Sequence, residues 1–340
     1  MDSLTHIALG ACIGEILASK KIGKKALVVG AIAQNIPDVD IVCSFWMTPA
    51  HDVLAHRGFT HSFLFAGLIS VLLAWLAQRW WSRAANTSFK FWFTFFAIQV
   101  TVHVLLDAFN AYGTGWFIPF SPYRVSFNAL YVVDLFYSVP MAILGFLLFV
   151  LHINNTSRMH LAYGGIVVST LYLSYGVINK LQVNSDVKAI LANQHIHYNQ
   201  YFSTPTPLNN LLWFVVASND DGNFVGYRSV FDNNDEMKLT FFPRQDSLLT
   251  KHADADEVNT LKQFSQGYYM AEKKGDTLIF NDLRFGQVTG GWKNPEVGFA
   301  FHYYLYPPEL DNHLVVQRGR FENWDNATIH SFLDRIKGAQ

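Results

Sequence analysis

The sequence predicts an α-helical membrane domain of about four spans plus two short N-terminal helices, followed by a soluble α+β domain, and three observations carry that reading. Charged residues make up 15% of the 340-residue chain and hydrophobic ones 51%, against a charged share of roughly 25% in ordinary soluble domains. Four apolar runs occur near residues 62–81, 91–111, 129–151 and 160–179, each long enough to cross about 30 Å of hydrocarbon at roughly 20 helical residues per crossing. From about 181 onward the apolar runs shorten and alternate, broken by Asn, Asp, Gly and Pro, as strands and turns do. The net charge of -1 gives no reason to expect nucleic acid as a partner, because a nucleic-acid binder needs a basic face to displace phosphate counterions.

The opening stretch, MDSLTHIALGACIGEILASKK, lacks the basic start of a secretory signal and ends in lysines with no small-residue cleavage site, so it is expected to be retained. Two apolar pieces, about 4–18 and 25–36, are joined by SKKIGKK. Each is shorter than a comfortable crossing, which leaves short helices, half-spans or a re-entrant hairpin. Cys12 and Cys43 are too few for a disulfide framework and lack CxxC spacing, so they read as core thiols. Lys20, Lys21, Lys24 and Lys25, then Arg79, Arg83 and Lys90, then Arg158 mark the cytoplasmic side, since Lys and Arg concentrate there. The alternate connections, 37–61 and 112–128, contain only Arg57 and Arg124 and are placed outside. Residues 181–340 then lie outside too, on a multi-pass protein of a bacterial or archaeal cytoplasmic membrane. In that second domain LWFVVA, LTFFP, TLIFNDL, FAFHYYLY and HLVVQ read as strands, and 185–201, 254–266 and 327–337 carry helical patterns.

Within that topology the ionisable residues of the apolar half gather on one side. Asp38 and Asp40 of NIPDVD, His56 and His61 of HRGFTHS, His103 and Asp107 of HVLLD, Asp134 of YVVDLF and His6 of LTHIALG all fall at the same ends of their segments. Each has an ordinary structural reading. His103 and Asp107, spaced i, i+4, share a helix face and suit an interhelical hydrogen bond. The Pro-Asp turn suits a cap, and His56 and His6 suit the headgroup level or a cap. Asp134 is harder to accommodate that way, because a carboxylate inside a span costs roughly 2.5–3.5 kcal/mol even on lenient scales. Packed carboxylates become protonated unless cations neutralise them, whereas neutral imidazoles with carboxylates form the mixed N/O set that Zn, Mn or Fe accept. Eight donors suit two ions, a spacing of roughly 3.5–4 Å that lowers the pKa of a bound water and clamps both oxygens of an ester in hydrolysis. No HExxH, GxSxG or P-loop occurs in the chain, which removes the commonest zincin, serine-hydrolase and nucleotide-driven alternatives. Arg57, between the two histidines, suits a phosphate through its planar fork, or a membrane-level carboxylate. Arg124 of PFSPYR is a second, weaker candidate.

The order MDSLTH, NIPDVD, HRGFTHS, HVLLD, PFSPYR and VVD resembles the YdjM family of bacterial inner-membrane proteins, membrane-bound metal-dependent hydrolases, over residues 1–180. The resemblance implies that His6, Asp38, Asp40, His56, His61, His103, Asp107 and Asp134 hold the family's metal-binding positions. HxxxD at His103 and Asp107 is also remotely similar to zinc-dependent phospholipase C. TPTPLNNLLWFVV and DLRFG resemble an external domain appended in part of the family. The expected activity is hydrolysis of a phosphoester in a lipid or lipid-linked substrate, with two zinc ions, Asp38 and Arg57 acting directly in the reaction, and protein partners unspecified. The competing readings are an ion path, a structural metal clip, or an anchor for an external binding module.

Overall fold

The computed structural model describes residues 1–250, 255–288, 290–305, 315–316 and 324–338. Helix α1 (Ser3–Ile22) starts where the Asp2 carboxylate accepts from the Thr5 amide, and it ends at Gly23, whose φ of 62° suits the stop that glycine provides. It reaches past the expected 4–18 because Lys20 and Lys21 fall in its last turn, where cations favour the helix dipole. Helix α2 (Lys25–Gln34) returns alongside, and the 3-10 turn Pro37–Phe45 bends away from it by 55°.

Three glycines set the α1–α2 approach. A Cβ on Gly14 would stand 2.2 Å from the Ala26 carbonyl oxygen, and one on Gly30 would stand 2.2 Å from that of Gly10. Both contacts are with backbone, so only separation of the helices relieves them. Gly14→Ala is therefore expected to destabilise the protein by about 1–3 kcal/mol, the range for overpacked cores, in unfolding in detergent. Gly164→Ala, whose Cβ meets nothing within 4 Å, is expected to be neutral or slightly stabilising.

Helix α3 (Pro49–Ala55) and a second 3-10 turn, Phe59–His61, precede the paired helices α4 (Phe63–Ala85) and α5 (Phe89–Asp107). Helix α6 (Leu135–Val150) is shorter than the expected 129–151. The amides of Ala129 and Leu130 donate to Phe109 O, and Asp134 caps the helix start. Helix α7 (Ser157–Asn193) has 37 residues, about 55 Å at 1.5 Å per residue. Three helices, Phe63–Trp81 within α4, α5 and α7, are long and apolar enough to cross a membrane among the described residues, or four if α2 and its bent partner form one span. Cys12, Leu106, Tyr137 and Met141 belong to one core cluster of this helical part, and Ala26, Ala74, Trp92 and Phe95 to another. At one end Lys24 Nζ donates to Phe149 O (3.0 Å). Near it, the buried Arg158 pairs with the buried Glu15 and donates to Leu148 O and Leu151 O. This is the lysine end of the bundle, and the candidate site lies at the other.

The chain divides into two compact units, Met1–Cys43 with Ala55–Tyr175, and Ser44–Leu54 with Gly176–Gln340. In the second, β1 (Gln200–Pro205), β2 (Leu212–Ser218), β3 (Gly222–Ser229) and β4 (Leu239–Pro243) form an antiparallel meander, with Val215 opposite Ser203 and Gly226. Strands β5 (Tyr269–Lys274), β6 (Thr277–Asp282), β7 (His302–Leu305) and β8 (Val315–Val316) form another. Helices α8 (Asp246–Leu249), α9 (Ala255–Phe264) and α10 (Asn326–Ile336) complete it. The helix expected at 185–201 is not a separate element: α7 continues to Asn193 without a break at 181, packing Val183, Val187 and Ile190 into a core with Trp213 and Val215. Asp254, Tyr306, His313, Leu314 and Gln317, included in the expected elements, lie outside the described residues. DLRFG is core structure, since Arg284 is fully buried, paired with Asp282 (Nε–Oδ1 3.0 Å) and stacked over Phe264.

Candidate metal centre

The last turn of α5 presents His103 and Asp107 on one face, the Pro37–Phe45 turn presents Asp38, and the Phe59–His61 turn presents His61. One ligand atom from each of these four lies within 4.8 Å of all the others. His61 Nε2 is 3.1 Å from His103 Nε2, 3.4 Å from Asp107 Oδ2 and 3.5 Å from Asp38 Oδ1, and His103 Nε2 is 3.5 Å from Asp38 Oδ1. The side chains of His61, His103 and Asp107 are 0–1% exposed and that of Asp38 26%, so Asp38 is the ligand that reaches outward.

This donor set fits a divalent cation. Two imidazole nitrogens facing each other at 3.1 Å cannot both present lone pairs unless a proton or a cation stands between them. Asp107 Oδ2 is buried and receives no hydrogen bond, although Arg57 Nε lies 3.0 Å away out of line. Two nitrogens with two carboxylates suit Zn, Mn or Fe. Burial would lower His61, yet the carboxylates of Asp107, Asp38 and Asp40 beside it push it up to about 9. At neutral pH the metal-free cluster thus carries a proton on His61, which an ion would displace.

Four other predicted ligands have different surroundings. His6 stacks on His103 (centroids 3.9 Å apart) and places Nε2 3.1 Å from Asp107 Oδ1, which the Met1 amino group also contacts. Asp40 and His56 pair behind His61: Asp40 Oδ1 meets His56 Nδ1 at 3.0 Å, and its Oδ2 accepts from the Arg57 amide and Thr60 Oγ1 while standing 3.5 Å from His61 Nδ1. A carboxylate behind a ligating imidazole fixes its orientation. Asp134 is not brought into the cluster. Its carboxylate caps α6 at the Phe136 amide and accepts from the Tyr172 hydroxyl (2.8 Å). Asp134→Asn, which keeps an acceptor for both, is expected to leave bound metal unchanged and stability within about 1 kcal/mol; elemental analysis showing metal loss would put Asp134 back among the ligands. A second group of three or more converging donors is not found among the described residues, so a second ion would have to share Asp107 with His6.

Arg57 turns inward on a left-handed backbone, φ 59°, a conformation costing roughly 1–2 kcal/mol for a residue with a Cβ. Its amide donates to Asp40, its carbonyl accepts from Gly115, and its NH1 donates to Asn110 Oδ1 (2.7 Å). The guanidinium is buried between Asp107 and Asn110. Arg124 donates to His56 O and Gly113 O, tying the 112–128 connection to the histidine turn. Asn110, Thr60 and Tyr172 carry no motif of their own, although Asn110 lies three residues beyond Asp107.

The model of the YdjM inner membrane protein family matches residues 1–183. The inner membrane protein YbcI of Escherichia coli (strain K12) is 33% identical over 123 residues, 36% of this chain and 69% of that protein. The uncharacterized protein YfhP of Bacillus subtilis (strain 168) is 29% identical over 143 residues, 40% of this chain and 42% of that protein. No solved structure matches.

Proposed function

From the premise that this chain belongs to the YdjM family of inner membrane proteins, we propose that it is a membrane-bound metal-dependent hydrolase. Its substrate is a phosphoester of a lipid or lipid-linked molecule at the outer face of the membrane, and residues 181–340 lie on that side. One observation carries this reading: His61 Nε2 and His103 Nε2 converge with Asp38 and Asp107 at one end of the apolar helices. Asp38, His61, His103 and Asp107 would hold the first ion, with zinc the best match to the set, and His6 with Asp107 would hold a second. Such ions supply Lewis acidity and lower the pKa of bound water. Asp40 and Thr60 orient His61, and Arg57 with Asn110 holds Asp107, so Arg57 acts through a ligand rather than on the substrate anion. Asp38, the outward-reaching ligand, faces the ester.

The second reading, a structural metal clip, draws on the burial of three of the four ligands, since closed sites are structural. An ion path is disfavoured, because the His/Asp cluster sits at one end of the helices and the buried Glu15–Arg158 pair at the other, rather than in a series through the membrane depth. The test is an assay of metal-loaded protein against phospholipids and lipid-linked phosphates. Hydrolysis is expected for the parent protein and is abolished in Asp38→Asn. Retained metal with no ester cleaved across the panel makes the site a clip. A reporter active only in the cytoplasm, fused after Gln340, is expected to stay silent.

A further inference from the structure

Helices α2 and α6 both pack on α1, and between them lies a groove of 650 Å³. Its walls include Ile7, Val28, Ile32, Ala142 and Phe146, and Asn35 is its one polar lining residue. Small side chains line it: Ala8, Ala11, Ala31 and Ala142 stand where larger residues would fill the space, and Gly145 lets α6 approach Ala8 closely. At the lysine end its walls are tied by the bond from Lys24 Nζ to Phe149 O. At the opposite end Asn35 lies three residues before Asp38, the outward-reaching member of the metal cluster.

We propose that this groove holds the acyl chain of a membrane lipid, with the head group at the Asn35 end beside Asp38. Resting on the hydrolase reading only for what happens to the head group, this assigns chain recognition to α1, α2 and α6. Ile7, Val28, Ile32 and Phe146 are exposed on these walls in the helical part of a chain of an inner membrane protein family, and an apolar concavity gains nothing from water. Helix α6 is an apolar helix of 16 residues, about 24 Å against roughly 30 Å of hydrocarbon, and set across a bilayer it would draw the lipid thinner around itself. That lowers head groups beside the groove towards the level of Asp38. Tyr123, exposed on the connection following α5, supplies an amphipathic ring of the kind that settles at the headgroup level, with the apolar rings of Phe117 and Phe120 exposed on the same connection.

The experiment uses the full chain in nanodiscs containing a phosphatidylglycerol with a diazirine near the end of one acyl chain. After photolysis, adducts are mapped by peptide mass spectrometry. Several-fold more labelling is expected at Ile7, Val28, Ile32 and Phe146 than at Leu68 and Trp75, exposed residues of α4 outside the groove. Ala31→Phe with Ala142→Phe is expected to remove the excess while α4 labelling stays constant. Equal labelling of groove and α4 in the parent protein overturns the proposal whether or not the filled variant folds, and so does an excess that survives in a filled variant with normal metal content. Ester cleavage is not part of the readout, so failure of the hydrolase reading leaves this result standing.

Discussion

His103→Ala is expected to lower zinc affinity by more than about 100-fold and leave the purified protein essentially metal-free. Loss of supporting residues alone costs roughly 10–100-fold, and His103 is one of two imidazoles that point into the cluster among the described residues. The remaining Asp38, His61 and Asp107 offer two carboxylates and one nitrogen, a set that His6 cannot complete from its place on Asp107 Oδ1. His56→Ala removes a partner of Asp40 rather than a donor, so it is expected to retain metal with affinity reduced by about 10–100-fold. Elemental analysis followed by zinc titration separates the two. The parent's affinity is also expected to weaken as pH falls below about 9, because His61 gains its proton there and metal must compete with it. Full metal in His103→Ala would remove the basis for the centre.

Glu15→Ala is expected to destabilise the protein by about 3–5 kcal/mol, the cost of leaving one partner of a buried ion pair alone. Arg158 Nε lies 2.9 Å from Glu15 Oε1, and the guanidinium also donates to Leu148 O and Leu151 O where α6 ends. Arg158→Ala loses these carbonyl bonds as well and is expected to fall at the upper end of that range. Glu15→Leu combined with Arg158→Met is expected to recover part of the loss, since neither charge is then stranded. Unfolding in detergent, followed by tryptophan fluorescence, gives the order. A Glu15→Ala protein as stable as its parent would show that water or lipid head groups reach the pair.

Much of the helical part was legible because hydrocarbon imposes a simple rule on length and polarity: α4, α5 and the first part of α7 follow the apolar runs. The extension of α7 was not. Residues 181–193 turn polar and amphipathic, which reads as a change of domain although the backbone stays helical. In the site, His103 and Asp107 were legible from i, i+4 spacing, and Asp38 and His61 from the shared ends of their segments. Spacing did not tell which way a side chain turns. Arg57 looked able to meet a substrate anion, but a left-handed backbone sends it to Asp107. Asp134 looked like a ligand because a carboxylate is costly in a span; Tyr172 and the first amides of α6 meet that cost locally.

The Glu15–Arg158 pair also sets an order of events during synthesis. The two residues are 143 positions apart, so α1, α2, α4, α5 and α6 all leave the ribosome while the carboxylate still lacks its counterion. A bare carboxylate in hydrocarbon is too costly to wait there, which holds the Glu15 turn of α1 near the aqueous boundary until α7 is made. Helix α1 is therefore locked in place only when α7 arrives, and any factor that shelters nascent membrane segments meets this protein as an open bundle with α1 still exchanging.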